Sequence, residues 1–284
     1  MKAKWIGLLL LIVVALGAVG YVWFSQTTQV TEITGYVGGE KIGLLEDEQV
    51  QKILKDKYRL SLDYNRAGSI EMVTTLDRAG QDFLFPSNQT ALELFEREGG
   101  SPRKEPDRLQ HPHVLYTHAA VAEALTAEGV FSQSGGVLTA DMEQLVALME
   151  SGSQWSDVGL PELYGSVTVG TTDPAKSNSG NMFAGLLANV LCGGSVGEED
   201  LPELLPRLQA LFQKLGYMES SSSDLFDQFL KTGMGAKPLI AGYESQLLEF
   251  AVQEPETWEQ IKGDIVLVYP HPHGVVLPCV HRPG

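Results

Sequence analysis

Between Tyr164 and Leu191 the chain reads YGSVTVGTTDPAKSNSGNMFAGLLANVL, a β-branched run that enters a small polar loop and leaves it as an apolar-faced helix. Thr171, Thr172, Asp173, Lys176, Ser177, Asn178 and Ser179 gather hydroxyls, backbone N–H groups and one cation at the start of that helix. The first turn of a helix has N–H groups without intrahelical partners and a positive dipole end, so such a junction suits a polar guest, an anion or the anionic end of a ligand. Every strand-to-helix turn also needs a cap, and Ser, Asn and Asp are the usual caps, so a single junction has a purely structural explanation as well. Met182, Phe183, Leu186, Leu187, Val190 and Leu191 recur at spacings of three and four, which anchors the loop against a core.

Repetition favours the binding reading. Five segments share one order, a short apolar run, a Gly or Ser/Asn turn, then a helical pattern: ITGYVGGEKIGLL from Ile33, SLDYNRAGSIEMV from Ser61, QDFLFPSNQTALELF from Gln81, the Tyr164 junction, and KPLIAGYESQLLEF from Lys237. Strands alternating with helices predict a largely parallel α/β sheet, with ligands at the carboxyl edges of the strands. The candidate contacts at those edges are Gly38 and Gly39, Ser69, Ser87 and Asn88, Thr171 to Ser179 with the Lys176 ammonium, and Tyr243 with Glu244. Lys176 offsets a ligand charge or is simply solvated, and Asp173, ahead of Pro174, reads first as a cap.

Formal charge is −16, from 36 acids against 20 bases, with no basic stripe carrying interleaved aromatics, so nucleic-acid binding is excluded. A local anion site survives on such a surface, because bulk charge is screened beyond about 8–10 Å at physiological salt. Trp5 to Phe24 is 20 uncharged residues, about 30 Å as a helix, preceded by Lys2 and Lys4. It predicts a transmembrane anchor with the bulk of the chain extracytoplasmic. A signal peptide cleaved near Ala18-Val19-Gly20 is the alternative. Of the two cysteines, Cys192 and Cys279, both read as free and Cys192 as a small buried residue. No thiol spacing suits a metal, and no cofactor is expected.

Helices are expected at 47–58, 69–77, 88–98, 119–128, 140–149, 177–191, 201–215, 223–231 and 244–252. Strands are expected at 31–37, 60–64, 82–85, 114–117, 166–171, 239–242 and 265–269. Polar loops are expected at 99–112, 193–200 and 220–223. The organisation is a cytoplasmic N-terminus at 1–4, anchor 5–24, spacer 25–31, first lobe 32–115, second lobe 116–263, and a return to the first lobe over 264–284. Trp155 and Trp258 lie on polar stretches, where packing against a lobe surface is the ordinary role.

GGEK near the first strand, AGSIEMV, DFLFPSNQTALELF, the Tyr164–Leu191 block, and GYESQLLEF followed by VYPHP together resemble bacterial extracellular solute-binding proteins, most nearly those with a molybdate- or sulfate-binding-like fold. The resemblance spans about Ile33 to Pro272. It implies an α/β, two-lobed periplasmic-binding-protein fold of the second type, closing on a solute without catalysis and serving an ABC-type transporter. It also implies that Gly39, Ser69, Ser87, Thr172, Ser177 and Tyr243 line the cleft. After VYPHP the chain reads HGVVLPCVHRPG, and its prolines cannot make the helical completion that the resemblance implies. The expectation is a shifted or shortened reading frame that leaves the first lobe incomplete. Three other readings stand beside this one. The pairs His111-Pro112-His113 and His271-Pro272-His273, with His118, suit a zinc-type metal receptor. Ser69 or Ser179 with a histidine suits a hydrolase, although no GxSxG elbow occurs. The last is a membrane-anchored sensory module built on the same clamp.

Overall fold

The computed structural model describes residues 29–87, 89–101 and 112–271, together with Leu16. Most of the expected anchor, Asn88, His111, and the tail from Pro272 with His273 and Cys279 lie outside the described residues. No helix among the described residues is long and apolar enough to cross a membrane.

The chain begins with β1 (Thr31–Val37), a 3-10 turn over Gly39–Lys41, α1 (Ile42–Glu46), α2 (Glu48–Tyr58), β2 (Leu60–Arg66), α3 (Glu71–Thr74), β3 (Phe83–Phe85) and α4 (Gln89–Arg97). β1 pairs in parallel with β2 from Thr31↔Leu60 to Val37↔Arg66, and with β3 on its other edge. Asp47 starts α2 by accepting from the Gln49 and Val50 N–H groups at 2.9 and 3.0 Å. Ala67, Ile70, Met72, Val73 and Ala91 form the small core of this layer.

Next come β4 (His113–His118), α5 (Ala119–Ala127), β5 (Phe131–Ser134), β6 (Val137–Asp141), α6 (Met142–Ser151), a 3-10 turn over Trp155–Val158, α7 (Asn178–Cys192), α8 (Leu201–Gln213) and α9 (Ser222–Thr232). β7 (Leu239–Tyr243), α10 (Glu244–Gln253), α11 (Pro255–Ile261) and β8 (Ile265–His271) follow. The strands form a second sheet in the order β5-β6-β8-β4-β7. Side chains alternate across it. Leu115, Leu239 and Ala241 join a large core with α6 and α7, while Val114, Tyr116 and Ile240 meet Leu225, Phe226 and Phe229 of α9 on the other face. Helices thus bury both faces.

The fold is mixed α/β, and several expectations change. A largely parallel sheet describes only β1 to β3, because β4 runs antiparallel to both β7 and β8. Residues 265–271, expected to return to the first lobe, form an interior strand of the five-stranded sheet, where Val268 pairs with Leu115 and is fully buried in the large core. The stretch 166–171 is not a strand: Val167 and Val169 fill the core, but its backbone meets β7 only around Gly170, through Gly170 N–H to the Leu239 carbonyl and Ala241 N–H to the Gly170 carbonyl, each 2.8 Å. No strand is expected over 131–141, where the structure has the β5–β6 hairpin. Its two-residue turn, Gly135-Gly136, has both φ angles positive, at 61° and 86°. Cys192, expected buried, is exposed at the end of α7. Trp155 is 2% exposed, inside the large core.

Candidate binding cleft

The ends of β1, β2 and β3 face two helix starts and the end of β7 across a narrow cleft whose enclosed room is about that of one water molecule. From the β1–β3 layer it takes Gly38, Gly39 and Glu40 after β1, Ala67, Gly68 and Ser69 after β2, and Ser87 after β3. From the five-stranded side it takes Ser177 and Asn178 at the start of α7, Ser220 to Ser222 at the start of α9, and Tyr243 at the end of β7.

The walls touch directly. The Lys176 carbonyl accepts the Ile70 and Glu71 N–H groups at 3.1 and 3.2 Å, satisfying two donors at the first turn of α3 from the opposite wall. Gly68 makes this approach possible, since a Cβ there would collide with the same carbonyl. Arg66 donates to the Ser221 and Ser223 hydroxyls, the second at 2.8 Å, and pairs with Asp224 at 2.8 Å. With side chains 39% and 46% exposed, that ion pair contributes at most about 1 kcal/mol.

Capping alone does not account for the serines. Ser177 and Ser221 both occupy N-cap positions, yet neither makes a side-chain cap bond. Ser69 accepts the Ser87 N–H and donates to the Ser87 hydroxyl, each at 2.9 Å. On the opposite wall Asn178 Nδ2 donates to the Tyr243 hydroxyl at 2.5 Å. Burial, and then the charge of Glu40, push the Tyr243 phenol far above its ordinary range, so it stays neutral. Its backbone is held by Gln246, which accepts the Tyr243 N–H at 2.8 Å and donates to the Ser222 carbonyl at 2.9 Å. Tyr116 donates to the Tyr243 carbonyl.

Behind this wall lies a buried polar cluster. His113 Nε2 meets the Ser179 hydroxyl at 3.0 Å, and its ring stands edge-on to Tyr243 at 5.6 Å between centroids. Burial pushes the imidazole down to about 4, opposed by the Ser179 backbone, so it is neutral at physiological pH. His113 Nδ1, Thr171 Oγ1, Thr172 Oγ1 and Asn178 Oδ1 are buried without a hydrogen-bond partner among the described residues. Such groups each cost about 1–3 kcal/mol and concentrate where function demands them.

The structure therefore brings Gly38, Gly39, Ser69, Ser87, Ser177, Asn178 and Tyr243 together, and places the other candidates among the described residues elsewhere. Thr171 and Thr172 are buried away from the cleft lining, and Ser179 turns to His113. The Lys176 side chain is 51% exposed and pairs with Asp173 at 3.6 Å, so this residue works through its carbonyl rather than its charge. Asp173 accepts the Ala175 N–H in the preceding turn, while Ser177 holds the N-cap. The Glu244 carboxylate accepts from Tyr269, whose phenol is pushed up to about 12, first by that bond. Glu40, Gly68 and Ser220 to Ser222 were not among the candidates. The serine run ahead of an apolar-faced helix is the same signal that marked Ser177, but it reads more simply as a loop.

The Ser179–His113 pair is the geometry that a hydrolase requires. Here Ser179 is fully buried and Nδ1 meets no carboxylate, so the hydroxyl has neither access to a substrate nor an orienting acid behind its base. Among the described residues no group of three or more His, Cys, Asp or Glu is placed to hold a metal ion.

No protein-family model matches the chain, and no curated protein matches it. Similar solved structures include the sulfate-binding protein SubI from Mycobacterium tuberculosis, with 13% identity and a TM-score of 0.46 over 85% of this chain and 71% of that one. A Trichodesmium protein (IdiA, FutA) in complex with iron and citrate has 10% identity and a TM-score of 0.42 over 84% and 70%. The substrate-binding domain of a putative molybdenum ABC transporter from Clostridium difficile has 12% identity and a TM-score of 0.38 over 83% and 76%.

Proposed function

We propose that this chain is an extracytoplasmic solute-binding protein whose two sheet-bearing lobes close on a small polar solute. It is tethered by residues 5–24 and delivers the solute to an ABC-type transporter. One observation carries the reading: turns after the three strands of one sheet meet two helix starts and the end of β7 from the other side in a single cleft lined by serines, an asparagine and a tyrosine. Two N-cap serines whose side chains make no cap bond, and a buried Asn178 oxygen without a partner on the cleft wall, support it. The resemblance of the Tyr164–Leu191 block to solute-binding proteins agrees with it. A hydrogen bond from a hydroxyl or backbone N–H to an ionised group contributes about 1.5–3 kcal/mol, so four such contacts suffice for micromolar affinity after desolvation costs.

The test is native mass spectrometry of the full-length chain, to identify a co-purified small molecule, followed by titration of that molecule into Ser69→Ala and Ser177→Ala variants. A shared cleft predicts that each change, on either wall, weakens binding about tenfold or more. Binding that survives both substitutions together removes this cleft from the function.

A further inference from the structure

One carboxylate lines the cleft beside the serine hydroxyls. The Glu40 side chain is only 6% exposed, and its partner Lys41 10%. The carboxylate accepts from the Ser87 hydroxyl and pairs with the Lys41 ammonium. That ammonium lies 3.4 Å from Ser87 Oγ and 4.8 Å from the centre of the Phe85 ring. Because Ser69 donates to Ser87 and Ser87 donates to Glu40, the hydroxyl protons of this wall run in one direction and end on the carboxylate. Gly38 lets it lie against the backbone, since a Cβ there would come within 2.7 and 2.9 Å of its two oxygens. Its field also reaches the far wall, where it raises the Tyr243 phenol.

We propose that Glu40 is a built-in competitor: its carboxylate sits on the Ser87 and Lys41 donors when no solute is bound, and an oxyanion enters that seat by displacing it. This rests on the solute-binding reading and makes Glu40 the residue that sets selectivity. A fully ionised oxyanion must take both hydroxyl and ammonium away from a carboxylate that stays nearby, and the two like charges repel in a partly desolvated space. Glu40→Gln removes the charge, and Glu40→Ala also opens the seat, with the Ser87 and Lys41 donors left in place.

The experiment is calorimetric titration of inorganic sulfate into the full-length chain, as wild type, Glu40→Gln and Glu40→Ala, with Ser87→Ala added to each variant. Sulfate is the probe because it carries no proton to share with a carboxylate at neutral pH. The expected result is at least about tenfold tighter binding in both Glu40 variants, with the gain lost when Ser87 is also removed. Two substitutions guard against one failing to fold, and a cooperative thermal melt verifies each. Equal or weaker sulfate binding in the folded variants overturns the proposal, as does a gain that persists without Ser87. If no form binds sulfate while native mass spectrometry still finds a co-purified solute, the Glu40 proposal fails and the solute-binding reading stands. Absence of both defeats the two together.

Discussion

Acid should weaken this fold through His113. In the unfolded chain the imidazole takes up a proton near its ordinary value of 6.5, whereas in the folded chain burial holds it to about 4. Between those values the unfolded state binds the extra proton, so stability falls as pH drops from about 6.5 to about 4 and His113 contributes no further change below that. The gap corresponds to about 3 kcal/mol at about 1.4 kcal/mol per pH unit, a ceiling because the residue retains some exposure. The assay is urea unfolding from pH 7.5 to pH 4 for the wild type and for His113→Gln, whose amide does not titrate. Other groups act alike in both proteins, so the difference between the two stability curves isolates the imidazole. It should change by about 2–3 kcal/mol across the window, with the wild type losing more. Parallel curves, or a proton resonance of His113 that titrates near 6.5, would show that the ring is solvated and the reasoning wrong.

Gly68→Ala places a methyl against the Lys176 carbonyl and removes two inter-wall hydrogen bonds, worth about 1–3 kcal/mol together. The variant should have a larger radius of gyration in small-angle scattering with little change in melting temperature, and an unchanged profile counts against lobe closure. Trp155→Ala empties part of the large core and should cost about 3–5 kcal/mol in chemical denaturation, against under 1 for a residue on a lobe surface. Asp141 caps α6 by accepting from the Glu143 and Gln144 N–H groups at 3.0 and 3.1 Å, and its carboxyl is held below the ordinary range, first by the Gln144 side chain. Asp141→Ala should therefore cost about 1 kcal/mol at neutral pH, shrinking as pH falls through the carboxylate range, by the same unfolding assay.

Legibility followed the range of the forces involved. Alternation and helical spacing are local patterns that put β1 at 31–37 and α10 at 244–252, and the structure has them at Thr31–Val37 and Glu244–Gln253. The stretch 166–171 misled for the converse reason. Val167 and Val169 obey strand alternation, but their burial comes from packing beneath β7 rather than from a ladder. The Gly135-Gly136 turn carries a local hairpin signal, two glycines with positive φ between two short strands. Within the cleft, Ser69, Ser87 and Ser177 were legible as turn serines. Glu40 was not, because a Glu-Lys dipeptide after two glycines has the composition of any solvated turn.

The sequence by itself determined which turns carry hydroxyls at strand ends, how acidic the chain is, and where the uncharged N-terminal stretch lies. Those properties depend on residue type and short spacing. Tertiary structure alone decided that Ser69 and Ser177 face one space, that Lys176 acts through its carbonyl, and that β8 lies between β6 and β4. Each of these depends on the pairing of segments more than a hundred residues apart. Such pairing is set by burial and backbone hydrogen bonding across the whole fold, and no local pattern encodes it.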